Sequence, residues 1–177
     1  MLNRKTITRR VFISSTVLAG TALALMPQGC TQPNIKIDLF KTLEAVQQVL
    51  FPQGLDAPSA REYGATAYLA NVSTHSSFLA SDLRFLRRGA QKLMNEYNNF
   101  LTLNPKEQDK ALREFVDNHD IGQNWVSFVL YFSIEALLAN PIYGGNKNEL
   151  GWKWLKHNAG LPQPKVPFAQ NLKGEVI

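Results

Sequence analysis

The side chains suited to catalysis or metal binding are few in this 177-residue chain: His75, His119, His157, the single cysteine Cys30, and Glu135 inside an apolar run. None of the histidines sits at a spacing that marks a metal site or an activated nucleophile. His119 beside Asp120 has the composition of a base and its orienter, but sequence neighbours rarely point together, and capping of a helix end is the better reading. Glu135 reads either as a buried functional carboxylate or as an acid near a helix end, hydrogen-bonded or reaching solvent; the second is expected. One cysteine excludes an internal disulfide framework, a cysteine-held iron–sulfur cluster and a thiolate zinc site. The C-x-x-C-H of a c-type haem, the G-x-G-x-x-G of a dinucleotide fold and the G-x-x-x-x-G-K-[ST] of a phosphate loop are all missing. A redox cofactor would have to be held by another chain.

The formal net charge is +5, yet it lies at one end. Arg4, Lys5, Arg9 and Arg10 precede the first acid, Asp38, and beyond Cys30 there are 15 basic residues against 14 acidic ones. So balanced a body lacks the footprint of a nucleic-acid binder. Residues 1–30 instead have the parts of an export signal. A basic stretch ends in Arg9-Arg10-Val11-Phe12, and a mildly apolar run follows to Met26. It is shorter than the roughly 20 apolar residues of a spanning helix. The paired arginines and Phe12 resemble a twin-arginine (Tat) signal, which carries proteins already folded and so implies a periplasmic location, peripheral to the membrane or lipid-anchored to it. Two endings remain open: cleavage after Ala22-Leu23-Ala24, or lipidation of Cys30, which follows Gly29 as in a lipobox.

The body from residue 31 to 160 reads as helices. Leu39, Leu43, Val46 and Leu50 recur on one helical face, stopped by Pro52 and Gly54. Ser59 is a plausible N-cap for a helix through Tyr63, Ala67 and Ala70. Residues 82–101 place Leu83, Leu86, Ala90, Leu93, Met94, Tyr97 and Leu101 on one stripe, with Arg84, Arg87 and Arg88 on a solvated face. Asn104-Pro105-Lys106-Glu107 combines an N-cap, a first-turn proline and a reciprocal acid. Residues 124–139 are apolar nearly all round, which places that helix at the centre of a bundle. No alternating strand pattern occurs. The expected fold is all-α, an irregular bundle of about five helices, followed over residues 161–177 by an extended tail. Pro162, Pro164 and Pro167 keep that tail from being helical, and with Phe168 it suits a partner surface.

Between bundle and tail lies Asn140-Pro141-Ile142-Tyr143-Gly144-Gly145-Asn146, then Gly151-Trp152-Lys153-Trp154-Leu155. Pro141 stops the helix, and Gly-Gly-Asn permits positive φ and a tight reversal. Tyr143, Trp152 and Trp154 around that reversal either anchor an interface, where such residues dominate, or close the bundle's own end.

These motifs, on a helical chain with a twin-arginine leader, resemble gluconate 2-dehydrogenase subunit 3, the small subunit of membrane-associated flavin-dependent sugar and sugar-acid dehydrogenases. The resemblance is specific over residues 124–155 and looser over the rest. It implies a subunit without a cofactor of its own, with FAD in a partner flavoprotein of the glucose–methanol–choline type and haem c in a cytochrome subunit where one is present. It also implies that the flavoprotein is folded with this chain and carried through the Tat translocase on its signal. Pro141, Tyr143, Gly144, Gly145, Asn146, Trp152, Trp154, Pro162, Pro164 and Phe168 are then the expected partner interface. Asn140 and Lys147 stand where the family commonly has Asp and Arg, and Pro58-Ser59-Ala60 where it has Pro-Gly-Ala. An independent enzyme using the histidines and a stand-alone exported helical binding lipoprotein are the competing readings.

Overall fold

A computed structural model describes residues 37–167 of the chain. Among the described residues there are seven α-helices and no strand: α1 (Leu39–Leu50), α2 (Ala60–Tyr63), α3 (Ala65–Ser73), α4 (Ala80–Glu96), α5 (Pro105–Asn118), α6 (Gly122–Leu138) and α7 (Leu150–Trp154). The all-α expectation holds, with two more short helices than the five expected.

The helix expected from Ser59 onward is two. Ser59 and Glu62 form a reciprocal capping box, in which the Ser59 N–H donates to Glu62 Oε2 at 2.8 Å. Gly64, at φ +80°, ends α2 and starts α3. A Cβ at Gly64 would stand 2.8 Å from the Gly144 carbonyl oxygen, so the break lets a distant loop reach the backbone. The third expected helix is also shorter than its periodicity suggested. α4 ends at Glu96, a 3-10 turn Phe100–Thr102 buries Phe100, and Leu101 is left exposed rather than on the apolar stripe. Arg84, Arg87 and Arg88 face solvent as expected.

Capping sets α1 and α5. Asp38 Oδ1 accepts from the Lys41 N–H at 3.2 Å, and α1 turns Leu43 and Val46 fully inward. At α5, Asn104 Oδ1 accepts from the Lys106 and Glu107 N–H groups at 3.1 Å while Glu107 Oε2 accepts from the Asn104 N–H at 3.2 Å. The outer face of α5 carries Arg113–Asp109 at 2.9 Å and Lys110–Glu114 at 3.8 Å. Such exposed pairs contribute little beyond helix support.

α6 is the element on which the others assemble, touching α1, α2, α3, α4, α5 and α7. Its anchor is Trp125, fully buried, with its indole N–H donating to the Leu86 carbonyl at 3.0 Å and its ring edge-on to Phe115 at 5.9 Å. Gly89 makes room for it, since a Cβ there would come within 2.2 Å of the indole. Removing a side chain so enclosed costs about 3–5 kcal/mol. One expectation for this helix needs correction. α6 is not covered all round: Tyr131, Ile134 and Leu138 are 58%, 42% and 43% exposed. Their spacing of three and four puts them on one stripe, facing away from the elements that pack on the other sides.

Candidate functional site

The last turn of α6 leaves backbone carbonyls without helical partners, and the reversal that follows supplies them. Asn140 Oδ1 accepts from the Ile142 N–H at 3.1 Å and starts a single 3-10 turn, Pro141–Tyr143. Asn146, fully buried at φ +43°, donates through Nδ2 to the Ala139 carbonyl at 3.0 Å and accepts at Oδ1 from the Gly151 N–H at 2.8 Å. The Trp152 indole donates to the Leu138 carbonyl at 2.8 Å. Gly145 and Gly151 lie directly on the helix end. A Cβ would fall 2.5 Å from the Ala136 oxygen at the first and 1.9 Å from the Leu137 oxygen at the second. Gly144, at φ +91°, fits against Asn71, whose Nδ2 donates to the Tyr143 carbonyl at 3.1 Å. The Gly-Gly-Asn and Gly-Trp motifs thus cap α6 and seat α7 upon it.

This divides the residues expected at an interface. Gly145, Asn146 and Trp152 are buried and Gly144 half-buried within the chain itself. Pro141 and Tyr143 are half-buried, and Trp154 and Leu155 are 44% and 50% exposed. Pro162 and Pro164 lie on an irregular, exposed segment that touches the body through Gln163, whose Oε1 accepts from Asn140 Nδ2 at 2.6 Å. Arg9, Arg10, Phe12, Cys30 and Phe168 lie outside the described residues.

Beside the reversal, between α3, the start of α4 and α6, opens a groove of about 870 Å3. Tyr68, Phe78, Phe128, Tyr131, Phe132 and Tyr143 give it an aromatic wall, and Glu135 and Asp82 are its acids. Phe128, Tyr131, Phe132 and Glu135 follow the i, i+3, i+4, i+7 rule along one side of α6. Phe132 fixes that side by edge contacts with Phe128 at 5.0 Å and Tyr131 at 5.3 Å, and a tilted contact with Phe78 at 5.5 Å. The Tyr68 phenol and the Glu135 carboxylate share this wall. Burial first, then that carboxylate and the nearby Tyr131 and Tyr143, push the Tyr68 ionisation well above the ordinary phenol range. Glu135 is half-buried, near the helix end. Tyr131 belongs both to the groove and to the exposed stripe of α6, so the two form one continuous surface. Neither Tyr68 nor Tyr131 stood out in the sequence. A tyrosine in an otherwise apolar helix is the signal that was there, because its polar tip wants water or a partner.

The histidines do not converge. His75 lines the groove with Nδ1 at 2.6 Å from the Ser77 hydroxyl. His119 pairs with Glu96, not with Asp120, and lies against Phe115. His157 follows α7 and faces Trp152 at 6.2 Å. Among the described residues no group of three or more His, Cys, Asp or Glu is placed to hold a metal, and no helix is long and apolar enough to cross a membrane.

No curated protein and no solved structure matches the chain. A family model does, over residues 38–160, and its description is gluconate 2-dehydrogenase subunit 3.

Proposed function

The chain belongs to the gluconate 2-dehydrogenase subunit 3 family, and from that premise we propose that it is the non-catalytic small subunit of a flavin-dependent sugar or sugar-acid dehydrogenase complex. In this reading the FAD sits in a flavoprotein subunit of the glucose–methanol–choline type, which oxidises the substrate and passes electrons to a cytochrome c subunit or another acceptor. This chain assists the folding of that subunit and carries it through the Tat translocase on Arg9, Arg10 and Phe12. The assembled complex is then periplasmic and held at the membrane, through Cys30 if that residue is lipidated.

One observation of the fold supports it above the rest. The central helix, apolar on every side, is left open along Tyr131, Ile134 and Leu138, with Trp154 and Leu155 also exposed nearby in sequence. Contiguous apolar patches beyond a few hundred Å2 are uncommon on monomers and mark places where another protein sits. Such a stripe on a preformed helix costs little backbone ordering when a partner covers it. The competing enzyme reading would need the histidines to meet, and each has separate local partners.

The export role is tested by replacing Arg9 and Arg10 with Lys in a cell that also makes the flavoprotein, then measuring flavin absorbance and dehydrogenase activity in periplasm and cytoplasm. Both proteins should remain in the cytoplasm. Arrival of the flavoprotein in the periplasm at its normal level would refute the carrier role.

A further inference from the structure

The groove beside α6 has a chemistry more particular than an apolar patch. We propose that it receives an arginine side chain presented by the dehydrogenase subunit, with the guanidinium paired to Glu135 and stacked among Tyr68, Tyr131 and Tyr143. The proposal rests on the subunit reading above and deepens it by naming the anchor that the partner supplies.

Three features point to a guanidinium. The first is charge: the lining residues include the acids Glu135 and Asp82 and no lysine or arginine. An incoming guanidinium therefore meets carboxylates with no resident lysine or arginine, His75 being the one basic side chain on the wall. The second is the convergence of phenols. Tyr68, Tyr131 and Tyr143 line the groove together with Glu135, so three phenols share one concave wall with a carboxylate. Tyrosines around a negative group are what recognises organic cations. A planar guanidinium stacks on such rings and forks onto a carboxylate, which an ammonium does less well. The third is position. Tyr131 is 58% exposed at the rim and continues into the Ile134–Leu138 stripe. A segment lying along that stripe brings a side chain directly over the groove. At about 870 Å3 the groove also has room for the backbone that carries the arginine.

The test uses the full chain co-expressed with its dehydrogenase subunit, identified by flavin absorbance and mass spectrometry, and reads the dissociation constant of the complex. Glu135→Gln keeps size and shape and removes the charge; it should weaken the complex at least tenfold and flatten its salt dependence. Glu135→Lys should weaken it more, by roughly a hundredfold, in line with breaking an interfacial charge pair. Tyr131→Ala should cost about tenfold through lost stacking, with the fold intact by circular dichroism. Asp117→Asn, an exposed acid on α5, should leave binding within twofold. Wild-type affinity in Glu135→Gln overturns the arginine anchor even if Glu135→Lys fails to fold. A Glu135→Gln effect on self-association, with dehydrogenase binding unchanged, overturns it in favour of a second copy in the groove. If the wild-type chain holds no flavoprotein, the subunit reading itself falls, and that outcome is distinct from a variant that binds normally.

Discussion

Two neighbouring regions of this bundle treat their aromatic and polar groups in opposite ways. The reversal over residues 140–152 turns Asn146 and Trp152 inward: Asn146 is fully buried and Trp152 is 8% exposed, both hydrogen-bonded to the carbonyls that end α6, while Tyr143 stays on the groove wall. The groove and the adjoining stripe turn theirs outward, with Tyr131, Ile134 and Leu138 left to solvent. The sequence leaves the loop open between a contact surface and a closure of the bundle's end, and it makes the all-apolar helix pure core. The lesson concerns backbone accounting. Carbonyls at the end of a central helix must be satisfied, so a loop rich in small residues and polar side chains is first a cap. A helix side that nothing covers is the better sign of an absent partner.

The heaviest blow to the closed region should come from Gly151→Ala. The added Cβ would stand 1.9 Å from the Leu137 carbonyl oxygen. Because that atom is backbone, the strain is relieved only by lifting α7 off α6. We expect a loss of about 3 kcal/mol or more in urea unfolding, at the upper end for overpacking, or no folded protein at all. A loss under about 0.5 kcal/mol would mean that the reversal is not the tight cap described.

Asn146 separates two contributions that Gly151 merges. Asn146→Gly keeps a residue at ease with φ +43° but abandons the Ala139 carbonyl and the Gly151 N–H inside the protein. Leaving buried groups unpaired should cost about 2–3 kcal/mol. Asn146→Ala adds the left-handed strain of a Cβ, about 1 kcal/mol further. Equal stability of the two variants in chemical denaturation would show that the backbone there is not held at positive φ.

How far the sequence disclosed this arrangement depends on the range of the interactions. The α5 start was legible because Asn104, Pro105 and Glu107 act within one turn, and all their expected bonds form. Leu43 and Val46 were legible from period alone. Gly64 was not, since its break is explained by Gly144 and Lys147, far along the chain, pressing on its backbone. The early end of α4 was hidden too: Tyr97 and Leu101 continue the helical period, but Phe100 is the residue the core takes. Of the functional surface, Glu135 was noticed and its place near the helix end anticipated. Tyr68 was missed because it meets Glu135 only where α3 packs on α6, which no local pattern reveals.

The mildest change is the sharpest for function. Ile134 is 42% exposed, so Ile134→Ser removes only the covered part of an apolar side chain. Full burial of such a group is worth about 1.5–3 kcal/mol, which puts the expected loss near 1 kcal/mol. Serine also brings no unpaired polar group, because its hydroxyl reaches water. Thermal unfolding of the isolated chain should therefore move by only a few degrees, much less than for Asn146→Gly. Recovery of the flavoprotein on the tagged chain should fall tenfold or more, because a partner that covers the stripe would have to bury that hydroxyl without a bond. The contrast between the two readouts is the point. A residue of the core loses stability and binding together, whereas a residue kept for a partner loses binding alone. Should Ile134→Ser destabilise the chain as severely as Asn146→Gly, the open side of α6 belongs to the core after all, and the division between the two regions dissolves.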